Sequence, residues 1–498
     1  MMREGLWRDE AISVYVAAAP STSEFLLRNR TSDYTPPLFN ALLAAYMRLA
    51  GSDEASLKAF AMTLGLLAFA AGTALAGQVA GPVAAAVAAA FLVNNPILVD
   101  MSAELRAYSL SAFLASCALL AVFRMRRRDE NARPAGFAGL AVLLALLAYS
   151  HIAGGIVVGV LFLWGILEWF RAPARPFGRR LSLSSAAAFA AFLFWIPTAW
   201  RQARIGLPWE KELTPAEALR ATAMHTDEAL PIPGAFGQPL FVLGIAAVLA
   251  ISVRLWPGLR DRLRADRELL LVLAVAAASV WAVLGLYTRQ SSRYLIVPAI
   301  LAAVLFACLL ARVADAAWEG RPGVRAAAAS GVAALVASAF WARADLYEGR
   351  FEIAGTPKSG FRTLCQARVF EPGELAIVVP DNLAPTAWYY CGRDETLRGF
   401  VRWDRPFQFD PRRYRDLWND PAAARAAVAR IDETMRRENR SRFAVLSEAN
   451  AAGLLPLFEK RVGELDAELA RNFEAQAVRR FPGRIEPVRA VVWKRGAL

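Results

Sequence analysis

Several residue types that usually declare a function are scarce in this chain. Histidine occurs twice and cysteine four times in 498 residues. Four cysteines are too few for a disulfide-built scaffold. His151 has no second histidine, cysteine or acid at ligand spacing beside it that would make a dedicated metal site. There is no glycine-rich phosphate loop in residues 344–498, and no internal repeat in the chain of the kind many transporters carry. Charged residues make up only 20% of the chain, and acids are the scarcer sign: 44 Asp and Glu against 57 Lys and Arg, a formal net charge of +13. Such a balance fits nucleic-acid binding or a membrane protein whose arginines gather in cytoplasmic loops.

What is abundant decides between them. Hydrophobic residues make up 56%, above the roughly 45–50% of soluble domains, and the excess lies before residue 345. Ten stretches are each long enough to cross a bilayer: 58–79, 81–99, 103–124, 134–150, 152–170, 181–199, 238–256, 268–287, 294–312 and 326–343. Many are alanine-rich, which lets helices approach closely in lipid. The basic runs Arg124–Arg128, Arg171–Arg180, Arg254–Arg267 and Arg312–Arg325 read as cytoplasmic. Threading the spans through them puts three stretches on the outer face: the head 1–57, the loop 200–237 and the tail 344–498. The head has no signal peptide and no span before it. Its opening, Met1-Met2-Arg3-Glu4, reads like interior sequence, so an N-terminal helix is expected to be missing.

Within the head, Ser21 to Arg30 reads as a short amphipathic helix. The apolar run Leu38 to Met47 reads as an interfacial or re-entrant helix entered through Pro36-Pro37. The tail alternates β-rich runs (375–379, 387–390, 442–446, 490–493) with helical patterns (411–438, 451–477), the mark of a small α/β domain. Cys365 and Cys391 lie in it, and would be free to pair on an oxidising outer face.

The candidate chemistry clusters on that face. Asp9 and Glu10, in Trp7-Arg8-Asp9-Glu10-Ala11, are carboxylates at a membrane edge, where partial desolvation tunes a general base; the alternative is a solvated charge pair. Glu104 and Arg106, in Glu104-Leu105-Arg106-Ala107-Tyr108, and Lys58 are charges at the outer ends of spans. Arg106 and Lys58 either meet a lipid phosphate or pair with acids, Glu104 among them for Arg106. Arg289 and Arg293, in Tyr287-Thr288-Arg289-Gln290-Ser291-Ser292-Arg293-Tyr294, break the positive-inside pattern, and guanidinium forks match phosphate oxygens. His151 stands at an outer helix junction, where packing and site-lining are both open. His225, with Asp227 and Glu228, reads as polar surface. Trp209 to Glu212 is a weaker candidate for an acceptor site.

These pieces, in this order, resemble the GT-C superfamily of polytopic glycosyltransferases, nearest the protein mannosyltransferase and aminoarabinose transferase branch. The residues that carry the resemblance are Asp9-Glu10, Pro36-Pro37-Leu38, Gly51 to Lys58, Glu104 to Tyr108, and Arg293-Tyr294 up to Pro298. It spans about residues 5–300. Lys58 stands where the family usually has arginine. The span and charge pattern divides the chain into an outer first loop over 1–57, a transmembrane domain over 58–343 and a periplasmic α/β domain over 344–498. The resemblance implies a polytopic α-helical membrane fold with two small outer juxtamembrane helices in the first loop and a lipid-facing cavity. It implies a bacterial inner-membrane enzyme that moves a hexosyl- or pentosyl-type sugar from a polyprenyl-phosphate carrier to a lipid, glycan or protein acceptor, with inversion. Asp9 would be the general base, with Glu10 supporting it. Lys58, Arg106, Arg289 and Arg293 would hold the lipid phosphate, and Glu104, Tyr108, His151 and Tyr294 would line the site. A phosphate leaves readily, so the chemistry requires no metal in principle, and no cofactor is assigned. The rival reading is a flippase of lipid-linked sugars. It would want ionisable residues at mid-membrane rather than at one face. A noncatalytic scaffold is a third.

Overall fold

The computed structural model describes the chain except for residues 1–4, 34, 128–133, 172–173, most of 206–265, 287–291, 319–321, 354–356, 372, 393–395, 401–402, most of 404–421, 450–455 and 496–498. Three short helices come first: α1 (Arg8–Ala17), α2 (Thr22–Ser32) and α3 (Leu38–Ala50). The Ser21 hydroxyl caps α2 by accepting the Glu24 N–H at 3.2 Å. Pro37 stands at the N-cap of α3. Both elements lie where the sequence patterns put them.

The long helices follow. In α4 (Glu54–Val93), Asp53 caps the start through the N–H groups of Ala55 and Ser56. The helix breaks at Ala80-Gly81: Gly81 takes a φ of +83°, and Pro82 restarts the helix. The break falls where the sequence separates its first two spans. A short α5 (Pro96–Ser102) leads to α6 (Tyr108–Arg127), then α7 (Pro134–Ser150), α8 (Ile152–Trp169), α9 (Arg175–Phe192) and α10 (Ile196–Ile205). The expected single span 181–199 is interrupted between α9 and α10, because Pro197 has no N–H to continue a helix and its ring crowds the carbonyl of Leu193. The expected span 103–124 begins late, at Tyr108, because residues 103–107 form a turn. Helices Arg267–Leu286, Ile296–Trp318 and Pro322–Ile353 follow among the described residues. By length and composition four described stretches can cross a membrane: Glu54–Val93, Tyr108–Arg127, Ile152–Trp169 and Arg293–Trp318. The expected span 238–256 lies almost wholly outside the described residues. One continuous apolar core joins these helices to α1 and α3. Small residues set the closest approach: a Cβ on Gly178 would stand 2.3 Å from the Trp169 backbone nitrogen, so α8 and α9 pack nearly backbone to backbone.

The tail holds a five-stranded sheet of β1 (Leu375–Val379), β2 (Leu397–Gly399), β3 (Arg442–Glu448), β4 (Phe473–Phe481) and β5 (Val488–Arg495), in the order β2-β1-β3-β5-β4. β1 is parallel to both β2 and β3; β3–β5 and β5–β4 are antiparallel. β1 is buried on both faces. Ile377, Val445 and Val491 meet Ile431, Met435 and Leu465 of two helices on one side. Ala376, Val378 and Leu446 meet Phe361, Leu364 and Leu383 on the other. Helices on both faces explain why these strands read as unbroken apolar runs. Two expectations are corrected. Residues 387–390 are not a strand but part of the helix Ala384–Tyr390, which Pro385 starts and whose Ala384 and Ala387 seat it on the sheet; tertiary packing overrides the aromatic β-preference. The helical pattern 451–477 ends at Leu469, and 473–481 is β4, a mostly exposed edge strand paired to β5. Cys365 and Cys391 form a disulfide.

The tail packs on the first loop. Tyr15 and Trp388 meet edge to face at 5.4 Å. The Tyr390 hydroxyl accepts the Leu6 N–H at 2.5 Å, the Tyr389 hydroxyl donates to the Ser52 carbonyl at 3.0 Å, and Arg362 pairs with Glu54 at 3.3 Å.

Candidate active site

Helix α1 begins with its two acids in the first turn, where the helix dipole favours negative charge. Glu10 is fully buried. Its Oε1 accepts Lys58 Nζ at 2.5 Å and the Leu105 N–H at 2.9 Å. Its Oε2 accepts the Trp7 N–H at 3.3 Å and Lys358 Nζ at 3.4 Å. Burial by itself would raise this carboxyl; Lys58 first, then Lys358, override it and hold it below the ordinary value. Glu10 thus ties α1, α4, the 103–107 turn and the tail together. The Leu105 N–H given to Glu10 is one reason that turn does not continue as helix.

Asp9 points the other way. Its Oδ2 accepts Arg293 at 2.9 Å. Burial again pushes its carboxyl up, and the charges of Arg293, Arg106 and Arg8 together bring it below the usual range. Arg106 donates to the Asp9 carbonyl and the Ser13 hydroxyl, both at 3.1 Å, and to both Asp33 oxygens at 3.3 and 3.4 Å. Asp33 is further held by Asn40 at 2.8 Å and by the Thr35 N–H at 3.2 Å. Lys58 also donates to the Ala103 carbonyl at 2.9 Å.

The cations therefore divide. The side chains of Lys58, Lys358 and Arg106 are 2%, 5% and 10% exposed and are committed to Glu10 and Asp33. Arg293, at 24%, is the open one. It lies beside the rings of Tyr294 and Trp7, at 5.5 and 5.9 Å, and its buried Nε has no partner among the described residues. Tyr108, Tyr294 and His151 form a ring cluster, with centroids 5.4 Å apart for Tyr108–His151 and 6.1 Å for Tyr108–Tyr294. His151 Nδ1 accepts the Ala153 N–H at 3.2 Å and caps α8. Burial, and then the Arg106 charge, push His151 down to about 4, so it is neutral at pH 7. Glu104 lies in the turn itself. Its Oε2 is buried without a hydrogen-bond partner among the described residues. Burial pushes its carboxyl up to about 7. Arg289 and nearly all of the 206–237 loop, His225 included, fall outside the described residues. Among the described residues, no three His, Cys, Asp or Glu come together as a metal-binding group.

Lys358 and Asp33 belong to this cluster without a role assigned from sequence. Lys358 lies 348 residues from Glu10 in the chain, and its setting, Pro357-Lys358-Ser359, has no pattern that marks it. The opposite ends of the same helices carry another charge network. Glu168 meets Arg171, Arg267 and Arg126 at 2.9, 3.5 and 3.8 Å. Arg127 pairs with Glu268 and Arg312 with Asp266, around a cleft of about 540 Å³. This arginine-rich end is the one the loop charges assign to the cytoplasm.

The same architecture is found in solved membrane enzymes. ArnT from Cupriavidus metallidurans bound to undecaprenyl phosphate superposes with a TM-score of 0.59 at 14% identity, covering 99% of this chain and 94% of that one. Its apo form gives 0.55 at 12%, with the same coverage. The archaeal oligosaccharyltransferase AglB from Archaeoglobus fulgidus, in complex with an inhibitory peptide and a dolichol-phosphate, gives 0.53 at 13%, covering 94% of this chain and 68% of that one. Both proteins are GT-C superfamily members. This chain has the GT-C fold. The likeness runs through the membrane helices and the tail alike, and at these identities it is a likeness of fold. No protein-family model matches the sequence, and no curated protein matches it. Within the GT-C fold, the Asp9–Arg293 pair joins helix α1 to the turn before the Ile296–Trp318 helix.

Proposed function

We propose that this protein is a membrane glycosyltransferase that moves a sugar from a polyprenyl-phosphate carrier to an acceptor hydroxyl on the outer face of the membrane. The observation that carries the reading is the Asp9–Arg293 ion pair, 2.9 Å long and the most open of the site's charge pairs, set in a fold shared with a protein bound to undecaprenyl phosphate. In the reaction the acceptor oxygen attacks the anomeric carbon in line. The bond from that carbon to the phosphate oxygen breaks with its electron pair going to the phosphate, and the hydroxyl proton passes to Asp9. The configuration inverts. Arg293, with Arg289 beside it in sequence, meets the charge that grows on the departing phosphate. Once Arg293 turns to the phosphate, Asp9 loses its nearest cation and becomes a stronger base. Glu10, Lys58 and Arg106 hold α1 in register for this exchange.

The disulfide between Cys365 and Cys391 supports an oxidising location for the tail, and hence for the site it covers. The test uses membrane vesicles carrying the full chain and radiolabelled undecaprenyl-phosphate-linked hexose, pentose or aminopentose, with lipopolysaccharide and membrane protein as acceptors. The reading expects label to enter an acceptor with inverted anomeric configuration. Label that crosses the bilayer on its carrier without transfer would make the protein a flippase.

A further inference from the structure

The carboxylates around the candidate active site are not alike. Asp9 is held by Arg293, Glu10 by Lys58 and Lys358, and Asp33 by Arg106 and Asn40. Glu104 stands apart. It lies two residues before Arg106 in the tight 103–107 turn, whose backbone is pinned by the Arg106 N–H donating to the Glu104 carbonyl at 2.8 Å and by the Leu105 N–H donating to Glu10. The groups that face it are Lys358 from the tail, Glu10 and Asp9 from α1, and Arg293 from the turn before the Ile296–Trp318 helix. None of the cations among them donates to it, because each donates to another acid. Its Oε2 is shut off from solvent and accepts no hydrogen bond from any described residue. Buried polar atoms in folded proteins nearly always find a partner, and one that does not is destabilising. A fold that spends two lysines on Glu10 and leaves Glu104 Oε2 without a partner among the described residues keeps an acceptor oxygen in reserve beside the Asp9–Arg293 pair.

We propose that Glu104 is a substrate-reading residue, whose Oε2 accepts a hydrogen bond from an O–H or N–H group of the sugar or of the acceptor. This rests on the reading of the site as one for sugar transfer. It adds that the substrate presents a hydrogen-bond donor to the 103–107 turn, beside the Asp9–Arg293 pair. It also explains why the turn is fixed from behind by Glu10. A reading residue works only if its backbone cannot retreat when its ligand is absent.

The test compares wild type with Glu104→Gln and Glu104→Ala in vesicles, using whichever labelled undecaprenyl-phosphate sugar the wild type transfers. Apparent KM for donor and for acceptor, kcat, and displacement of the donor by bare undecaprenyl phosphate are measured together with the thermal midpoint of the substrate-free protein. The expected result for Glu104→Ala is a rise of about tenfold or more in one KM, the order lost when a buried hydrogen bond goes unmade, while the midpoint holds or rises because a buried oxygen without a partner among the described residues has been removed. A rise confined to the donor, with bare undecaprenyl phosphate still bound as in wild type, assigns the contact to the sugar; a rise confined to the acceptor assigns it there. Both KM values within about twofold of wild type would overturn the proposal, as would a lowered midpoint with proportional loss of active protein, the mark of a structural role. Absence of transfer by the wild type would instead remove the reading of the site on which the proposal rests.

Discussion

At the scale of single residues, burial and charge compete: charge wins at Asp9 and Glu10, burial at Glu104 and Glu486. Asp9 and Glu10 are held ionised by neighbouring cations, whereas Glu104 and Glu486 are pushed up to about 7 by burial. Glu486 is buried near Arg8 at 3.8 Å and accepts the Ser359 hydroxyl at 2.7 Å, which is too little to offset its desolvation. A carboxyl raised in the folded state binds its proton more tightly there than when unfolded. Its stabilising contribution is therefore complete below the unfolded value of 4.5 and disappears as the pH rises through about 7. The thermal midpoint of the wild type is expected to fall between pH 5 and pH 8, and Glu486→Gln to flatten that slope; thermal scans in detergent across this range would check it. Arg293 is expected to be the cation least replaceable for activity. Arg293→Lys keeps the charge but loses the fork, so a loss of about ten- to a hundredfold in kcat/KM is expected, with the fold intact. How far the site was legible differs residue by residue. Asp9, Glu10, Lys58, Glu104, Arg106 and Arg293 could be grouped from sequence because charges at the ends of apolar spans on one side must share a surface. Who pairs with whom could not. The partners of Arg106 and Glu10 include Asp33 and Lys358, 73 and 348 residues away, and no local spacing encodes such a contact.

Among the secondary-structure elements, what could be read and what could not separate by the strength of the local signal. Ser21 before α2, Pro37 before α3 and Gly81-Pro82 inside α4 act through their own backbone, and each boundary stands where those residues require it. The helix Ala384–Tyr390 and strand β4 take their form from the sheet they cover or edge, a constraint absent from their own residues. Two predictions belong here. Glu10 joins four elements, so Glu10→Gln leaves Lys58 and Lys358 buried without a full counter-charge and is expected to destabilise by about 3–5 kcal/mol, visible as a lowered thermal midpoint. Gly178 has no room for a side chain against the Trp169 backbone, so Gly178→Val is expected to separate α8 from α9 and cost about 1–3 kcal/mol. A neutral result for Gly178→Val would mean the two helices pack less closely than described.

Over the whole molecule, the charges sort to opposite ends of the same helices. One end carries the Glu168, Asp266 and Glu268 network with its surplus of arginines; the other carries the Asp9–Arg293 pair under a disulfide-bonded tail. The tail is fastened to the first loop by Tyr389, Tyr390, Trp388 and Arg362 and sends Lys358 to Glu10. It is therefore a structural part of the site rather than an appendage. Cys365→Ser is expected to loosen the very segment that carries Tyr389 and Tyr390, lowering the stability of the tail by about 2–4 kcal/mol and, with it, any transfer activity. The central claim concerns Asp9. The most direct measurement is sugar transfer from radiolabelled undecaprenyl-phosphate donor in vesicles of wild type and Asp9→Asn, with donor binding measured in parallel. A loss of at least a hundredfold in transfer, with the protein folded and the donor still bound, is the predicted result. Transfer by Asp9→Asn at the wild-type rate would contradict the claim.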